Sequence, residues 1–220
     1  MGYSTDFLGH IDISPPLNPS EVEYLTAFGE SRRWDRPGGP YEVPDNPRLD
    51  AVVLGDPDPV TGVPSVRAPV SAGSDDHERF NRTAPGQPQL HCQWIPCPSG
   101  CCLSYDGHEK FYEPTAWMRY LIDHFIKPGA AASRSGLECF EQFTFDHEMN
   151  GVVAACRRDT RRLWVIEVDS NVVTERDLYR GVDESLVWGP FPYEQEIDDL
   201  RARRRRRRAG SVGRPVRAAR

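Results

Sequence analysis

Residues 150–175, NGVVAACRRDTRRLWVIEVDSNVVTE, contain three apolar runs separated by two polar turns. The runs are Val152–Cys156, Arg161–Val168 and Val172–Glu175. They are rich in the β-branched and aromatic residues that favour strands, and the residues between them are typical of turns. Runs of this length and spacing predict a meander of three antiparallel strands near the end of the folded part of the chain.

The helix before this meander has the clearest periodic pattern in the chain. Apolar side chains recur on one face from Glu109 to Ile126, and Pro128-Gly129 follows as a stop signal. Pro114 is expected in the first turn, where its missing amide hydrogen costs nothing. The apolar face comprises Trp117, Tyr120, Leu121, His124 and Phe125. His124 is therefore interpreted as a core histidine rather than a metal ligand.

The chain opens with a strand followed by a helix. Thr5–Ile13 alternates between apolar and polar residues, which predicts a half-buried strand. Asn18 is placed to cap the next helix, with Pro19 at its first position and Glu21 positioned to complete a capping box. Gly29 is expected to end this helix.

A hairpin is predicted between these two regions. Leu90–Ile95 alternates, Pro96–Gly100 forms a turn, and Cys101–Tyr105 is the partner strand. Two weaker β candidates are Leu49–Leu54, inside a proline-rich stretch, and Leu137–Phe145, whose pattern is mixed.

The order of these elements predicts an α+β domain with a single, mainly antiparallel sheet and two helices packed on one face. Residues 1–35 supply the first strand and helix, and residues 89–180 supply the main part of the domain. Residues 36–88 are a proline- and glycine-rich loop or insertion. Residues 181–220 form a flexible segment that ends in an arginine-rich tail, which is expected to be disordered because it has nothing to bury.

Charge is distributed unevenly along the chain. The 220 residues carry a net charge of −6, but residues 201–220 contain ten arginines and no acidic residue, so the preceding residues carry −16. No run approaches the roughly 20 apolar residues of a membrane span, and the start lacks the basic and apolar regions of a secretory signal. These features predict a cytoplasmic protein that does not enter a membrane and keeps its six cysteines reduced.

Thiols and imidazoles are concentrated in the hairpin region, at His91, Cys92, Cys97, Cys101, Cys102 and His108. These side-chain types bind zinc, and a hairpin turn is a usual place for them. Four, three and zero residues separate the successive cysteines, whereas a zinc knuckle has two between its ligands. Packing residues are therefore the preferred interpretation, and no cofactor is predicted. Zinc held by Cys97, Cys101, Cys102 and His108 is the alternative, and a redox-sensitive Cys101-Cys102 pair is a lesser one.

Two other polar groups could carry acid–base chemistry. Asp106–Lys110 places carboxylates, an imidazole and an ammonium group beside a predicted helix start, where His108 or Glu109 would be the general base. A turn followed by a helix cap explains the same residues and is preferred, because no nucleophile with an orienting partner accompanies them. Asp146-His147-Glu148 is interpreted as a polar turn. No catalytic residue is predicted.

Three separated blocks of sequence carry a family resemblance. They are the start Gly2–Phe7, the block Pro85–Pro96 with its GQPQLHCQWIP motif, and Tyr105–Tyr112, which leads into the predicted helix. Together they resemble an uncharacterised family of small proteins from bacteriophages and actinobacteria. The cysteines near the hairpin turn and the arginine tail depart from the family pattern. The resemblance implies an α+β fold and a cytoplasmic setting, and it implies no activity.

These observations favour a non-enzymatic interaction or accessory protein of phage or mobile-element background. Its predicted interaction surface comprises Trp94, Asp106, Glu109, Lys110 and Tyr112. The tail residues Arg203, Arg204, Arg205, Arg206, Arg207 and Arg208 are predicted to bind nucleic acid phosphates without sequence preference, or another acidic partner. Folding of the tail onto the acidic body is the alternative for those arginines. The alternative function is a zinc-binding protein or hydrolytic enzyme that uses the Cys92–His108 hairpin.

Overall fold

The computed structural model describes residues 4–44, 53–57, 64–67, 80–108 and 110–182, with backbone only for the two short central stretches. The chain divides into two units, Met1–Arg180 and Gly181–Arg220. All strands and helices given below belong to the first unit. The arginine tail, the weak strand candidate up to residue 52, and Glu109 lie outside the described residues.

Six strands form one antiparallel sheet. They are β1 (Thr5–Ser14), β4 (Trp94–Pro96), β5 (Cys102–Tyr105), β6 (Glu148–Arg157), β7 (Leu163–Asp169) and β8 (Val172–Tyr179). Their spatial order is β4-β5-β1-β6-β7-β8, and every neighbouring pair is antiparallel. A separate two-stranded sheet pairs β2 (Val53–Pro57) with β3 (Pro64–Arg67). The predicted α+β class and the C-terminal meander are confirmed.

The centre of the sheet is the long pairing of β1 with β6, which runs from Thr5 opposite Arg157 to Ser14 opposite Glu148. Gly9 sits in this pairing with φ +112°, and a Cβ there would lie 2.5 Å from the Val152 carbonyl oxygen. The two strands therefore approach more closely at Gly9 than a side chain would allow. The face of β1 that carries Leu8 is exposed to solvent, since Leu8 is 79% exposed.

The first helix, α1 (Pro19–Glu30), begins as predicted. The Asn18 side chain accepts the Glu21 amide hydrogen at 3.1 Å, and the Asn18 amide donates back to the Glu21 carboxylate at 2.7 Å. The prediction that Gly29 ends the helix is wrong. Gly29 lies inside the helix, where a Cβ would be only 2.9 Å from the Ile95 side chain, so glycine serves close packing of α1 on β4.

The second helix starts later than predicted. The α2 helix covers Pro114–Leu121 and continues as a π-helical turn over Ile122–Ile126. The backbone adopts the left-handed conformation at Glu113, with φ 54°, and at Lys110, with φ 66°. A residue before proline avoids the right-handed helical conformation, so Pro114 sets the boundary rather than merely fitting the first turn. The predicted buried face is confirmed, although His124 is only half buried.

Two predicted strands are shorter or absent. Leu90–Gln93 is not part of the sheet: the strand begins at Trp94, and the Leu90 carbonyl accepts the Arg33 amide hydrogen rather than one from a neighbouring strand. The Leu137–Phe145 candidate is wrong. This stretch contains a 3₁₀ turn at Glu138–Phe140. Phe140 and Phe143 are both buried, and a three-residue spacing of this kind suits turns rather than strands.

Both helices pack on the same core. It includes Leu25 and Phe28 from α1, Trp117 and Leu121 from α2, and inward side chains of the sheet such as Ile11. None of the helices within the described residues combines the length and apolar character needed to cross a membrane.

Candidate functional site

The turn between β4 and β5 is built by short backbone hydrogen bonds. The Cys97 amide donates to the Cys102 carbonyl at 2.9 Å, and the Gly100 amide donates to the Cys97 carbonyl at 2.9 Å. Gly100 has φ +70°, and a Cβ there would overlap the Leu17 carbonyl oxygen, so the turn requires glycine. The Leu17 amide donates to Gly100 at 3.0 Å, which fixes the turn on the segment after β1.

This turn brings three thiols together. The Sγ atoms of Cys97, Cys101 and Cys102 all lie within 4.8 Å of one another. Cys97 Sγ and Cys101 Sγ are 3.5 Å apart, and the Ser99 hydroxyl oxygen lies 3.2 Å from each of them. Cys101 is exposed and the other two are half buried, so the cluster can be reached from solvent.

Local contacts shift the pKa values of Cys97 and Cys102 in opposite directions. Slight burial raises the pKa of Cys97, but hydrogen bonds from Ser99 and the neighbouring thiols outweigh it and lower the pKa to about 6. Burial raises the pKa of Cys102, and the adjacent Cys97 sulfur raises it further, to about 12. At neutral pH the cluster therefore holds a Cys97 thiolate that is stabilised by thiol and hydroxyl donors.

Only part of the sequence-predicted ligand set assembles. His108 does not join the three thiols, since its imidazole pairs with Asp106 at 2.9 Å. Cys92 is a core residue, and burial raises the pKa of its thiol to about 12. Among the residues that the structure describes, the group of potential metal ligands at this turn therefore contains three members.

One member of the predicted interaction surface, Trp94, is a core residue. Trp94 is 1% exposed and its indole donates to the Pro114 carbonyl at 2.8 Å, so its assignment to a surface is wrong. Asp106 accepts the His108 amide hydrogen at 2.8 Å and caps a turn, but it does not cap α2, which begins at residue 114. Lys110 is exposed and Tyr112 is half buried.

The interpretation of His147 as part of a polar turn is wrong. Its Nε2 lies 3.1 Å from the Glu21 carboxylate and its Nδ1 lies 2.7 Å from the Pro15 carbonyl oxygen, with both ionisable side chains about 1% exposed. The same Glu21 oxygen accepts the Thr144 amide hydrogen at 2.8 Å. The capping box was the only signal for Glu21, and nothing local indicated its partner 126 residues away.

His124 has a structural role in an aromatic cluster. Its Nδ1 lies 2.6 Å from the Tyr41 hydroxyl, and its ring stacks on Tyr120 with a centroid distance of 3.9 Å. The prediction of a satisfied histidine on the apolar helix face is confirmed.

Comparison with known proteins does not identify a family. No protein family and no solved structure matches the chain. An alignment of 119 positions, which covers 48% of this chain, is 32% identical to Protocadherin Fat 2 of Rattus norvegicus. The match spans 3% of the length of that protein.

Proposed function

We propose that this protein binds a thiophilic metal ion, Zn²⁺ being the first candidate, at Cys97, Cys101 and Cys102. The observation that carries the proposal is the convergence of the three Sγ atoms within 4.8 Å on an accessible turn. This proposal takes up the zinc site that the sequence analysis gave as an alternative, without His108 as a ligand.

The dimensions of the cluster suit zinc. Zn–S bonds of about 2.3 Å in a tetrahedron place two sulfur atoms about 3.8 Å apart. Cys97 and Cys101 are 3.5 Å apart, so small side-chain adjustments are sufficient. Three thiolate ligands leave a fourth position for water or for a donor from a partner.

The acidity of the thiols also suits a cation. Metal ligation requires thiolates, and the Cys97 pKa of about 6 supplies the first of them at neutral pH. Burial and the nearby sulfur atoms raise the pKa of Cys102, and a divalent cation among the three thiols would favour its thiolate. Metal binding is therefore expected to release protons.

Elemental analysis of purified protein tests this proposal. We expect one zinc ion per chain in the wild type and a more than 100-fold loss of zinc affinity in Cys97→Ser, because even outer-shell partners of a metal contribute about 10–100-fold. Cys139→Ser is the matched control, since Cys139 is exposed and lies outside the cluster. Metal-free wild type from zinc-supplemented cells, or equal zinc contents in the two variants, would contradict the proposal.

A nucleic-acid contact through the tail is the second candidate function, and the six consecutive arginines at 203–208 support it. Because residues 1–200 carry −16, binding is expected to depend on the tail. A tail that neutralises six or more phosphates would lose about 10³-fold or more in affinity for duplex DNA between 50 and 200 mM salt. Fluorescence anisotropy on the full chain and on a variant with all six arginines changed to glutamine measures this. Equal affinities at 50 mM salt would refute it.

The cytoplasmic location and the phage or mobile-element background remain predictions from the sequence. An accessory role is compatible with either proposed binding function.

A further inference from the structure

Two thiols of the β4–β5 turn are close enough to form a disulfide bond. Cys97 Sγ and Cys101 Sγ are 3.5 Å apart, and the Ser99 hydroxyl contacts both of them at 3.2 Å. Both cysteines lie in the turn itself, between the end of β4 at Pro96 and the start of β5 at Cys102. A disulfide bond is about 2.05 Å long, so the two sulfur atoms need to approach by about 1.5 Å.

Exposure and chain geometry select this pair among the three thiols. Cys101 is exposed, whereas Cys97 and Cys102 are half buried, so an oxidant reaches the Cys101 sulfur most readily. Cys102 follows Cys101 directly, and the Cα atoms across such a trans peptide are about 3.8 Å apart. Disulfide-bonded cysteines have Cα atoms about 4.4–6.8 Å apart, so Cys102 is a poor partner for Cys101. Cys97 is the remaining neighbour, and its sulfur is in contact with that of Cys101.

We propose that Cys97 and Cys101 form a reversible disulfide when the protein is exposed to a hydroperoxide, and that this oxidation releases the metal ion. The disulfide requires only the geometry of the turn. The release rests on the metal site proposed above: thiolates are the metal ligands, and oxidation leaves Cys102 as the remaining thiol of the three.

The reaction balances with hydrogen peroxide as the oxidant. The Cys101 sulfur attacks one peroxide oxygen, the O–O bond breaks, and a sulfenic acid and one water molecule form. The Cys97 sulfur then attacks the Cys101 sulfur, the S–O bond breaks, and the hydroxide leaves as a second water molecule after taking up a proton. Two thiols thereby lose two electrons and two protons to the peroxide.

Disulfide mapping of the full-length protein tests the pairing. The protein is reduced, freed of reductant and metal, and treated with hydrogen peroxide. Its remaining thiols are then alkylated, and the digested protein is sequenced by tandem mass spectrometry. We expect one intramolecular disulfide between Cys97 and Cys101, which dithiothreitol reverses. A disulfide from Cys102 to either of the others, a link between two protein molecules, or unchanged thiols would overturn the assignment.

Serine variants connect the product to this pair. Cys101→Ser is expected to abolish the disulfide, and Cys102→Ser is expected to retain it. In Cys97→Ser the sulfenic acid at Cys101 has lost its partner, so dimedone should trap it there. Cys139→Ser is the control, because Cys139 is also exposed but lies outside the cluster. A disulfide that survives Cys101→Ser but not Cys102→Ser would refute the proposed pair.

Oxidation of zinc-loaded protein tests the release separately. A colorimetric zinc chelator should report one zinc ion lost for each disulfide formed. Zinc retained by fully oxidised protein would refute the release. Wild-type protein that takes up no zinc would refute the metal site and with it the release, while the mapping of the metal-free protein still decides whether the disulfide forms.

Discussion

Replacing Glu21 by alanine is expected to lower the free energy of unfolding by about 3–5 kcal/mol, the usual result of removing one member of a buried ion pair. The Glu21 carboxylate joins the Asn18 amide, the Thr144 amide and the His147 imidazole. Its loss leaves the buried His147 with only the exposed Asp146 carboxylate, 3.9 Å away, and leaves two amide hydrogens without their acceptor. Urea denaturation at pH 6 measures the effect.

The matched control for this change is Glu23→Ala. Glu23 lies two residues further along the same helix and is exposed, so its removal should change stability by no more than about 0.5 kcal/mol. If Glu21→Ala were as mild as the control, the buried pair would not stabilise the fold.

The effect of Glu21→Ala is expected to depend on pH. Burial by itself raises the pKa of Glu21, but hydrogen bonds from His147 and two backbone amides outweigh it and hold the pKa below its ordinary 4.5. Its contribution is therefore complete above pH 4.5 and is lost as the pH falls through the folded pKa. Burial lowers the pKa of His147, yet its bonds to Glu21 and Pro15 raise it above 6.5, so that contribution is lost as the pH rises through the folded pKa. The difference in the free energy of unfolding between wild type and Glu21→Ala should be largest at pH values between the folded pKa values of Glu21 and His147.

Replacing Arg33 by leucine should cost about 4 kcal/mol, because four buried or half-buried acceptors lose a charged donor. Arg33 is 0% exposed, and its guanidinium donates to Ser31, to Gln87 and to the carbonyls of Pro40 and Glu42. It also lies 4.0 Å above the Phe28 ring centroid. Burial lowers the Arg33 pKa to about 10, so the group remains charged at neutral pH.

The Arg33 prediction is checked by thermal and urea denaturation of three variants. Arg33→Lys keeps the charge but cannot reach the four acceptors at once, so an intermediate loss is expected. Arg134→Leu is the control, since Arg134 is exposed and should be nearly neutral. A leucine variant as stable as wild type would mean that the Pro40 and Glu42 carbonyls find other hydrogen-bond donors and that Arg33 is not needed to fix them.

Sequence patterns predict the elements that are stabilised by contacts between residues close together in the chain. The meander was readable because alternation in Val152–Cys156 and its partners records which side chains face the core. The Asn18–Glu21 capping box was readable because its two hydrogen bonds lie within four residues. The predicted start of α2 is too early because the apolar pattern continues upstream of Pro114. The backbone at Glu113 is not helical, so the helix itself begins only at Pro114.

The amino-acid sequence by itself determined the antiparallel class of the sheet, the first helix and the proximity of the three hairpin cysteines, because each depends on contacts between residues close in the chain. Tertiary structure alone decided that β1 lies between β5 and β6, which brings Glu21 to His147 and buries Trp94. It also selected Cys97, Cys101 and Cys102 over His108. These arrangements follow from the order and register of distant strands, which depend on the summed packing of the core rather than on any local pattern.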